Sequence, residues 1–351
     1  MNKPIELKDL DIVFHEGSMN SPLFVFIHGL GMNKNIWVYP EKIRVFAGNY
    51  PIYLFTSKAP DKIKAPLQLS GQKSFLSTGM KNTELKTLFH DLVKLNVSCL
   101  TWSQQRPANS INYALKELEL LLNSYSKYTK NGIVLIGHSR GGLIARLFCL
   151  RYNYDVKGII TIGAPHKGSN MAKWADNISK STSYISPYFE KSEKEGLAKS
   201  IKQILQFLQC EAIKELLPEA ELIKTLPNKI NNKIYTISAG GTKAELFTVY
   251  RVKYLLENNE YILKYTKLFA VPEILNYVVF NNSKIDDIIN GKGDGLVSNE
   301  SSIMPECEKH LTKHANHVEL LFLDELRKEI INNYEFLTKI TCINDRKGIN
   351  L

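Results

Sequence analysis

The residues most suited to chemistry surround Ser139, where an apolar run gives way to a helical pattern. Residues 133–136 are continuously apolar, as in a central parallel strand, and the apolar residues after Ser139 recur at helical spacing. The turn between them has the spacing G-x-S-x-G, from Gly137 to Gly141, and such a strand-to-helix turn holds a serine with its hydroxyl exposed. We expect both glycines to be required, because a Cβ at either position would collide where strand and helix pack closely. The alternative is a glycine-rich turn that happens to contain a serine.

A serine hydroxyl is a poor nucleophile until a base takes its proton, and the base needs a third group to orient it. Asp294 is the acid that stands out after Ser139, because its turn, KGDGLVSNESS, is of a kind that exposes a side chain at a strand end. Three histidines follow it: His310, His314 and His317. We prefer His317 as the base, since an asparagine precedes it and an apolar helix is predicted to begin directly after it. His310 and His314 lie in a predicted edge strand, where solvent-facing histidines are unremarkable.

Attack by a serine creates an oxyanion, which backbone N–H groups must stabilise. The N–H of Arg140, directly after the serine, is one candidate donor, and the N–H of Leu30, in the turn HGLG after the first predicted core strand, is the other. The turn that carries Ser139 is called the elbow below. Five further residues are expected to support the elbow and the HGLG loop without acting as the base: His28, Gly29, Gly137, His138 and Gly141.

These motifs lie among alternating strand and helix patterns. Predicted strands occupy residues 22–27, 97–102, 133–136, 158–162 and 233–241. Amphipathic helices at residues 82–96 and 110–125 separate the first three strands. Because such alternation calls for right-handed crossovers and a parallel sheet, we predict an α/β fold with a mostly parallel central sheet flanked by helices.

Two long segments interrupt the alternation and divide the chain into parts. We predict a core formed by residues 1–170 and 233–351, with a helical cap inserted over residues 171–232. We expect this cap to lie over Ser139, so that its apolar stripe, residues 197–217, serves in part as an acyl-binding wall; a stripe that only packs on the main domain is the alternative. A second insertion spans about residues 243–291.

Composition narrows the classes of partner. The formal net charge of +10 would suit a nucleic acid, but lysines are interleaved with glutamates and form no compact basic run with aromatics, so we expect no nucleic-acid partner. A basic face remains compatible with peripheral contact to an anionic membrane. No apolar run approaches the roughly 20 residues that span a bilayer. Charges scattered through residues 1–14 do not fit a signal peptide, so we expect a cytoplasmic protein without a transmembrane segment.

Four motifs, taken in order, resemble those of α/β-hydrolases of the lipase/esterase type: HGLG, GHSRGG, GAPHKGS, and GDGLVS followed by NHVE. GAPHKGS and the pairing of DGLV with NH are especially similar to bacterial triacylglycerol lipases. In that fold the nucleophile, acid and base follow one another in this order. The resemblance therefore implies that Ser139, Asp294 and His317 form a catalytic triad, and that the amides of Leu30 and Arg140 form the oxyanion hole.

Two features depart from those lipases. They are secreted behind a signal peptide, and they bind calcium through aspartates, one of which lies two residues beyond the catalytic histidine. Here that position is Glu319, with no clear second ligand, so we do not expect a calcium site. The five cysteines are widely spaced without a C-x-x-C pair, which indicates neither a disulfide framework nor a zinc site.

The resemblance implies hydrolysis of an acyl ester, lipid-like or smaller, through an acyl-enzyme and without a metal or organic cofactor. Acyl transfer, or hydrolysis of an amide or thioester, would use the same triad, and the acceptor depends on cap residues that sequence does not reveal. A binding or scaffold protein without catalysis is the alternative from a different class.

Overall fold

A seven-stranded sheet runs through the centre of the protein in a computed structural model. The structure describes residues 6–45, 50–60, 62–64, 74–82, 84–170, 210–228, 230, 234–272 and 285–333. Its strands are β1 (Asp11–His15), β2 (Leu23–Ile27), β3 (Arg44–Val45), β4 (Tyr50–Pro51), β5 (Lys62–Lys64), β6 (Ser74–Ser77), β7 (Cys99–Ser103), β8 (Ile133–His138), β9 (Val156–Ile162), β10 (Tyr235–Gly241), β11 (Glu245–Glu257), β12 (Glu260–Pro272) and β13 (Lys309–Lys313). Its α-helices are α1 (Asn35–Val38), α2 (Tyr53–Thr56), α3 (Leu88–Lys94), α4 (Ile111–Ser124), α5 (Arg140–Arg151), α6 (Glu211–Lys214), α7 (Glu221–Lys224), α8 (Asn299–Ser302) and α9 (Asp324–Asn333).

The central sheet has the strand order β1-β7-β2-β8-β9-β10-β13. Every neighbouring pair is parallel except β1 and β7, which are antiparallel at one edge. The middle strand, β8, is fully buried, which explains its continuous apolar sequence. The predicted α/β class with a mostly parallel sheet is confirmed. The antiparallel edge strand β1 lies in the first twenty residues, where no strand was predicted.

Helices cover both faces of this sheet. Ile133 and Leu135 of β8 belong to a core with α4 and α5, whereas Val134 and Ile136 belong to a core with α3 and α9. Strand side chains alternate between the two faces, so each face has its own apolar layer. This packing on both sides fixes β8 and the turn that follows it.

Two predicted helix starts differ from the structure. α3 begins at Leu88, later than its apolar pattern suggested, because Thr87 and the His90 side chain cap it. The helix expected directly after His317 is a short 3-10 turn, Glu319–Leu321, and α9 begins only at Asp324.

The second insertion forms most of a separate antiparallel sheet with the order β5-β12-β11-β6. β11 and β12 make a long hairpin closed by Asn258 and Asn259, both with positive φ (51° and 61°), as a two-residue type I′ turn requires. Sequence analysis did not predict this hairpin. The first residues of β11 pack in the same apolar core as α9 and the loop that follows β13.

The predicted cap is described only in its last part. Residues 171–209, with most of the apolar stripe, lie outside the described residues. Residues 210–228 contain the short helices α6 and α7, and Ala212, Leu216 and Leu226 are buried there. None of the described helices is long and apolar enough to cross a membrane.

Candidate active site

Ser139 lies at a strained turn after the middle strand of the sheet. Its φ of 53° and ψ of −127° form a conformation that non-glycine residues rarely adopt, and such strain is concentrated at functional sites. The Ser139 N–H donates to the carbonyl of Ile162, 2.8 Å away. A Cβ on Gly137 would collide with the backbone of Gly141, and one on Gly141 would collide with the carbonyl of Ile27. Both glycines therefore allow β8 and α5 to meet closely enough to hold this turn.

Asp294 and His317 form a buried hydrogen-bonded pair. His317 Nδ1 and Asp294 Oδ2 are 2.8 Å apart, and the two side chains are 2% and 1% exposed. The other carboxylate oxygen, Oδ1, accepts from the N–H groups of Leu296 (3.0 Å) and Val297 (2.8 Å). Since Asp294 accepts these bonds, the imidazole donates from Nδ1 and keeps the lone pair of Nε2 free.

Two glycines that sequence analysis missed make room for this pair. A Cβ on Gly163, whose φ is 61°, would lie 3.1 Å from the His317 ring and 3.4 Å from the Asp294 carboxylate. A Cβ on Gly241 would lie 2.8 Å from the Cβ of Asp294. Gly163 directly follows β9, in the segment IGAP, and Gly241 ends β10, in the segment SAGG. Their position at the ends of predicted strands was the signal that the sequence offered.

The residue before His317 anchors the loop. The Asn316 side chain donates to the carbonyls of Phe55 (3.0 Å) and Glu245 (2.9 Å), and its oxygen accepts from the N–H of Glu319 (2.8 Å). Glu319 in turn pairs with Lys243 Nζ at 2.8 Å and accepts from the Asn316 N–H at 3.0 Å. The carboxylate at the position of the lipase calcium ligand is thus engaged by an ammonium group and an amide.

The two other candidate histidines pair with hydroxyl groups. His310 Nδ1 lies 2.8 Å from Ser238 Oγ, and His314 Nδ1 lies 3.3 Å from Thr242 Oγ1. His314 is exposed, as expected, but His310 is half-buried, which corrects the prediction that both face solvent. It turns inward because β10 supplies the Ser238 hydroxyl beside it.

Ser139 and His317 line the same cavity, of about 40 Å³. This volume holds a few water molecules and is too small for an acyl chain. The lining is mostly apolar and consists of Leu30, Met32, Val45, His138, Ser139, Pro165, Ser169, Ile213, Leu216, Leu296, Val297, His317 and Val318. Leu216 and Ile213 come from the described end of the predicted cap, so this part of the cap reaches the site.

Of the two residues whose amides are expected to bind an oxyanion, one lines the cavity and the other directly follows Ser139. Leu30 lines it directly, and Arg140 is the first residue of α5, where backbone N–H groups have no partner within the helix. A Cβ on Gly29 would lie 2.9 Å from the Cβ of Ser139, so the loop carrying Leu30 is in close contact with the elbow.

His28 is held as a neutral ring beneath this loop. Its Nδ1 donates to the carbonyl of Gly29 (2.8 Å), while its Nε2 accepts from the N–H of Gln104 (3.0 Å). The Gln104 side chain donates back to the His28 carbonyl at 2.9 Å. Burial lowers the pKa of His28 to about 4, so the ring stays neutral at pH 7. These bonds fix the backbone that leads to Leu30.

His138 contacts the backbone and the ring of His317. Its Nε2 lies 3.0 Å from the carbonyl of His317, and the two rings are 4.8 Å apart. Burial and the neighbouring His317 ring lower the pKa of His138 well below its ordinary value, so it donates as a neutral ring. Its Nε2–H is thereby engaged, while its Nδ1 has no hydrogen-bond partner among the described residues.

The side chain of Arg140 joins the elbow to the end of the predicted cap. Its guanidinium is buried and forms an ion pair of 3.1 Å with Glu215, between α6 and α7. It also donates to the carbonyls of Pro107 (3.0 Å) and Asn109 (2.6 Å), ahead of α4. The sequence suggested a role only for the backbone of Arg140.

Comparison with known proteins supplies the family. The sequence profile of the PGAP1-like alpha/beta domain matches residues 24–244, more than half of the chain. The chain belongs to this family. The PGAP1-like match includes Ser139 and ends before Asp294 and His317. No functionally curated protein matches the sequence significantly.

Solved structures share the fold of this PGAP1-like chain. The mature form of Bacillus licheniformis lipase BlEst2 is 14% identical, with a TM-score of 0.53 over 92% of this chain and 96% of the lipase. Its propeptide form, also 14% identical, gives a TM-score of 0.52 over 92% of this chain and 52% of that one. The predicted α/β-hydrolase fold is confirmed by the family match and these likenesses.

Proposed function

We propose that the protein is a serine hydrolase that cleaves a carboxylic ester through an acyl-enzyme. One observation carries the proposal: His317, hydrogen-bonded to the buried Asp294, lines the same cavity as a serine held in a strained turn. A nucleophile and a base at one cavity, with an acid behind the base to orient it, are the parts that acyl transfer requires.

In the proposed reaction, Ser139 Oγ attacks the carbonyl carbon of the ester while its proton passes to His317 Nε2. The N–H groups of Leu30 and Arg140 stabilise the oxyanion of the tetrahedral intermediate. His317 then gives the proton to the leaving alcohol, which leaves the acyl group on Ser139. Water attacks this acyl-enzyme, again losing a proton to His317, and His317 returns that proton to Ser139 Oγ as the bond to the acyl group breaks and the acid leaves.

The apolar lining of the cavity supports an acyl substrate. Leu216, Ile213 and Val318 offer no partner for a charged group, and the cavity must widen at its apolar side chains before an acyl chain can enter. We therefore propose a lipid-like or other aliphatic ester as the substrate class.

A panel of esters with graded acyl length tests this function. The parent protein is expected to hydrolyse at least one member, and Ser139→Ala is expected to lose turnover while its thermal midpoint stays nearly unchanged, because the hydroxyl serves chemistry and not packing. Turnover retained by Ser139→Ala would exclude this nucleophile. Product analysis with an added alcohol separates hydrolysis from acyl transfer, and a folded protein inert to every ester would favour a binding role.

A further inference from the structure

One face of the antiparallel sheet β5-β12-β11-β6 carries a row of cations. Register places Lys253 directly opposite Lys264, and Lys264 directly opposite Lys62, so these three side chains share a face. Alternation along the strands adds Arg251 and Lys64 to the same face. All five side chains are exposed. We call these five residues and the strands between them the cationic face.

Two of the five cations are neutralised within the sheet. Lys62 pairs with Glu257 and Lys64 pairs with Glu260, both at 2.7 Å. Arg251, Lys253 and Lys264 form no ion pair with any residue that the structure describes. Within the described part of the chain, these three positive charges are uncompensated.

The pairing of Lys253 with Lys264 opposes the stability of the hairpin. Like charges directly opposite one another on a sheet are destabilising. Cross-strand packing therefore does not account for two lysines at this position. An anionic partner would remove the repulsion.

An apolar side chain stands beside these charges. Leu76 of β6, directly opposite Arg251, is 62% exposed. An aliphatic side chain among cations suits the boundary between lipid headgroups and acyl chains.

The same pattern does not suit nucleic acid. Proteins that bind single strands combine cations with aromatic side chains on one surface, so that bases stack on the rings. Here the tyrosines of the hairpin, Tyr254, Tyr261 and Tyr265, alternate onto the opposite face, and the described side chains of the cationic face include no aromatic ring.

We propose that the cationic face binds an anionic phospholipid surface. Lys253, Lys264 and Arg251 meet the headgroups, and Leu76, on the same face, enters the boundary region. The start of β11 is tied to the loop of His317, because the Asn316 side chain donates to the carbonyls of Glu245 (2.9 Å) and Leu246 (3.3 Å). The hairpin that carries the cationic face is thus hydrogen-bonded to the residue before His317.

Sedimentation with vesicles tests this surface without relying on turnover. The Ser139→Ala protein is mixed with phosphatidylcholine vesicles that either contain or lack phosphatidylserine. We expect binding only to the vesicles with phosphatidylserine, weakened by added salt. Since each cation near an anionic surface strengthens binding about fivefold, Lys253→Gln/Lys264→Gln is expected to weaken it about twentyfold.

Lys116→Gln/Lys130→Gln is the matched control, because it removes two exposed lysines from α4 and the segment after it, and α4 packs in a different core layer from the start of β11. It is expected to change binding less than about twofold. Equal binding to both kinds of vesicle, or equal loss in the two double variants, would overturn the proposal. Binding to a single-stranded oligonucleotide that is tighter than to the anionic vesicles would assign the face to nucleic acid instead. A parent protein that hydrolyses no ester, together with intact vesicle binding by Ser139→Ala, would count against the proposed hydrolase alone.

Discussion

At the scale of single residues, the position of one proton decides which groups can react. Asp294 receives N–H bonds from Leu296 and Val297 and the Nδ1–H bond from His317, so Nε2 of the imidazole keeps its lone pair. His138 donates to the backbone of His317 and is therefore a positioning residue, and His28 holds the loop of Leu30. Three histidines near Ser139 are thus separated by their hydrogen bonds into one candidate base and two supports.

Replacement of each downstream histidine tests this separation. His317→Ala is expected to lower kcat by about 10⁴-fold or more, as when serine-hydrolase triads are broken. His310→Ala and His314→Ala are expected to stay within about tenfold of the parent, a loss of at most ~1.4 kcal/mol in transition-state stabilisation. Steady-state turnover of one short-chain ester measures all three. An inactive His314→Ala with an active His317→Ala would exclude the assignment of the base.

At the scale of elements, the segment from α6 to α7 is the described end of the predicted cap, and it contacts the site. Arg140 fastens it to the elbow through Glu215, and the N–H of Ser169 donates to the carbonyl of Leu216 at 2.7 Å. Leu216 faces the cavity, whereas Leu226, in the same segment, packs in the core beside α4 and α5. One short stretch thus contains a leucine at the site and a leucine away from it.

Leu216→Ala and Leu226→Ala separate the two roles. Each removes a buried leucine and is expected to cost about 2–5 kcal/mol of unfolding free energy. Only Leu216→Ala is expected to shift kcat/KM toward longer acyl chains, because it enlarges the cavity around Ser139. Urea unfolding and the graded ester panel measure the two effects. Equal chain-length profiles in both variants would remove Leu216 from the acyl-binding wall.

Elements with a strong local pattern could be predicted from sequence. An apolar run, a helical period and the spacing of Gly137 and Gly141 predict β8 and α5. The hairpin β11–β12 could not, because Tyr, Leu and Lys follow one another without a clean alternation and Asn258–Asn259 is a weaker turn signal than Asn-Gly. The sequence also pointed to Asp294 and His317 by their loop contexts. It did not reveal Gly163 or the Arg140–Glu215 pair, since both depend on contacts between segments far apart in the chain.

At the scale of the whole molecule, buried histidines make stability depend on pH. Burial lowers the pKa of His28 to about 4 and lowers the pKa values of His138 and His166 well below the ordinary value. The unfolded chain binds protons to these rings near pH 6.5, whereas the folded protein does not. Each ring therefore contributes stability that is present above pH 6.5 and is lost as pH falls toward its folded pKa.

Between pH 7 and pH 5, the lowered pKa of His28 is expected to reduce the unfolding free energy by about 2 kcal/mol, and His138 and His166 reduce it further in the same direction. Urea unfolding at the two pH values measures the change. His166→Gln is expected to make the unfolding free energy depend less on pH, because one buried neutral histidine is removed. A parent protein equally stable at both pH values would contradict the neutral buried state of these rings.

The central claim is that Ser139 is the nucleophile, and covalent labelling with a fluorophosphonate tests it most directly. Trypsin cuts after Lys130 and Arg140, so the peptide of residues 131–140 contains Ser139 as its only serine, and mass spectrometry of that peptide locates the adduct. We predict one adduct for each protein molecule, on this peptide, lost in Ser139→Ala and strongly slowed in His317→Ala. An active protein whose Ser139 peptide stays unlabelled, or whose adduct lies on another peptide, would contradict the account.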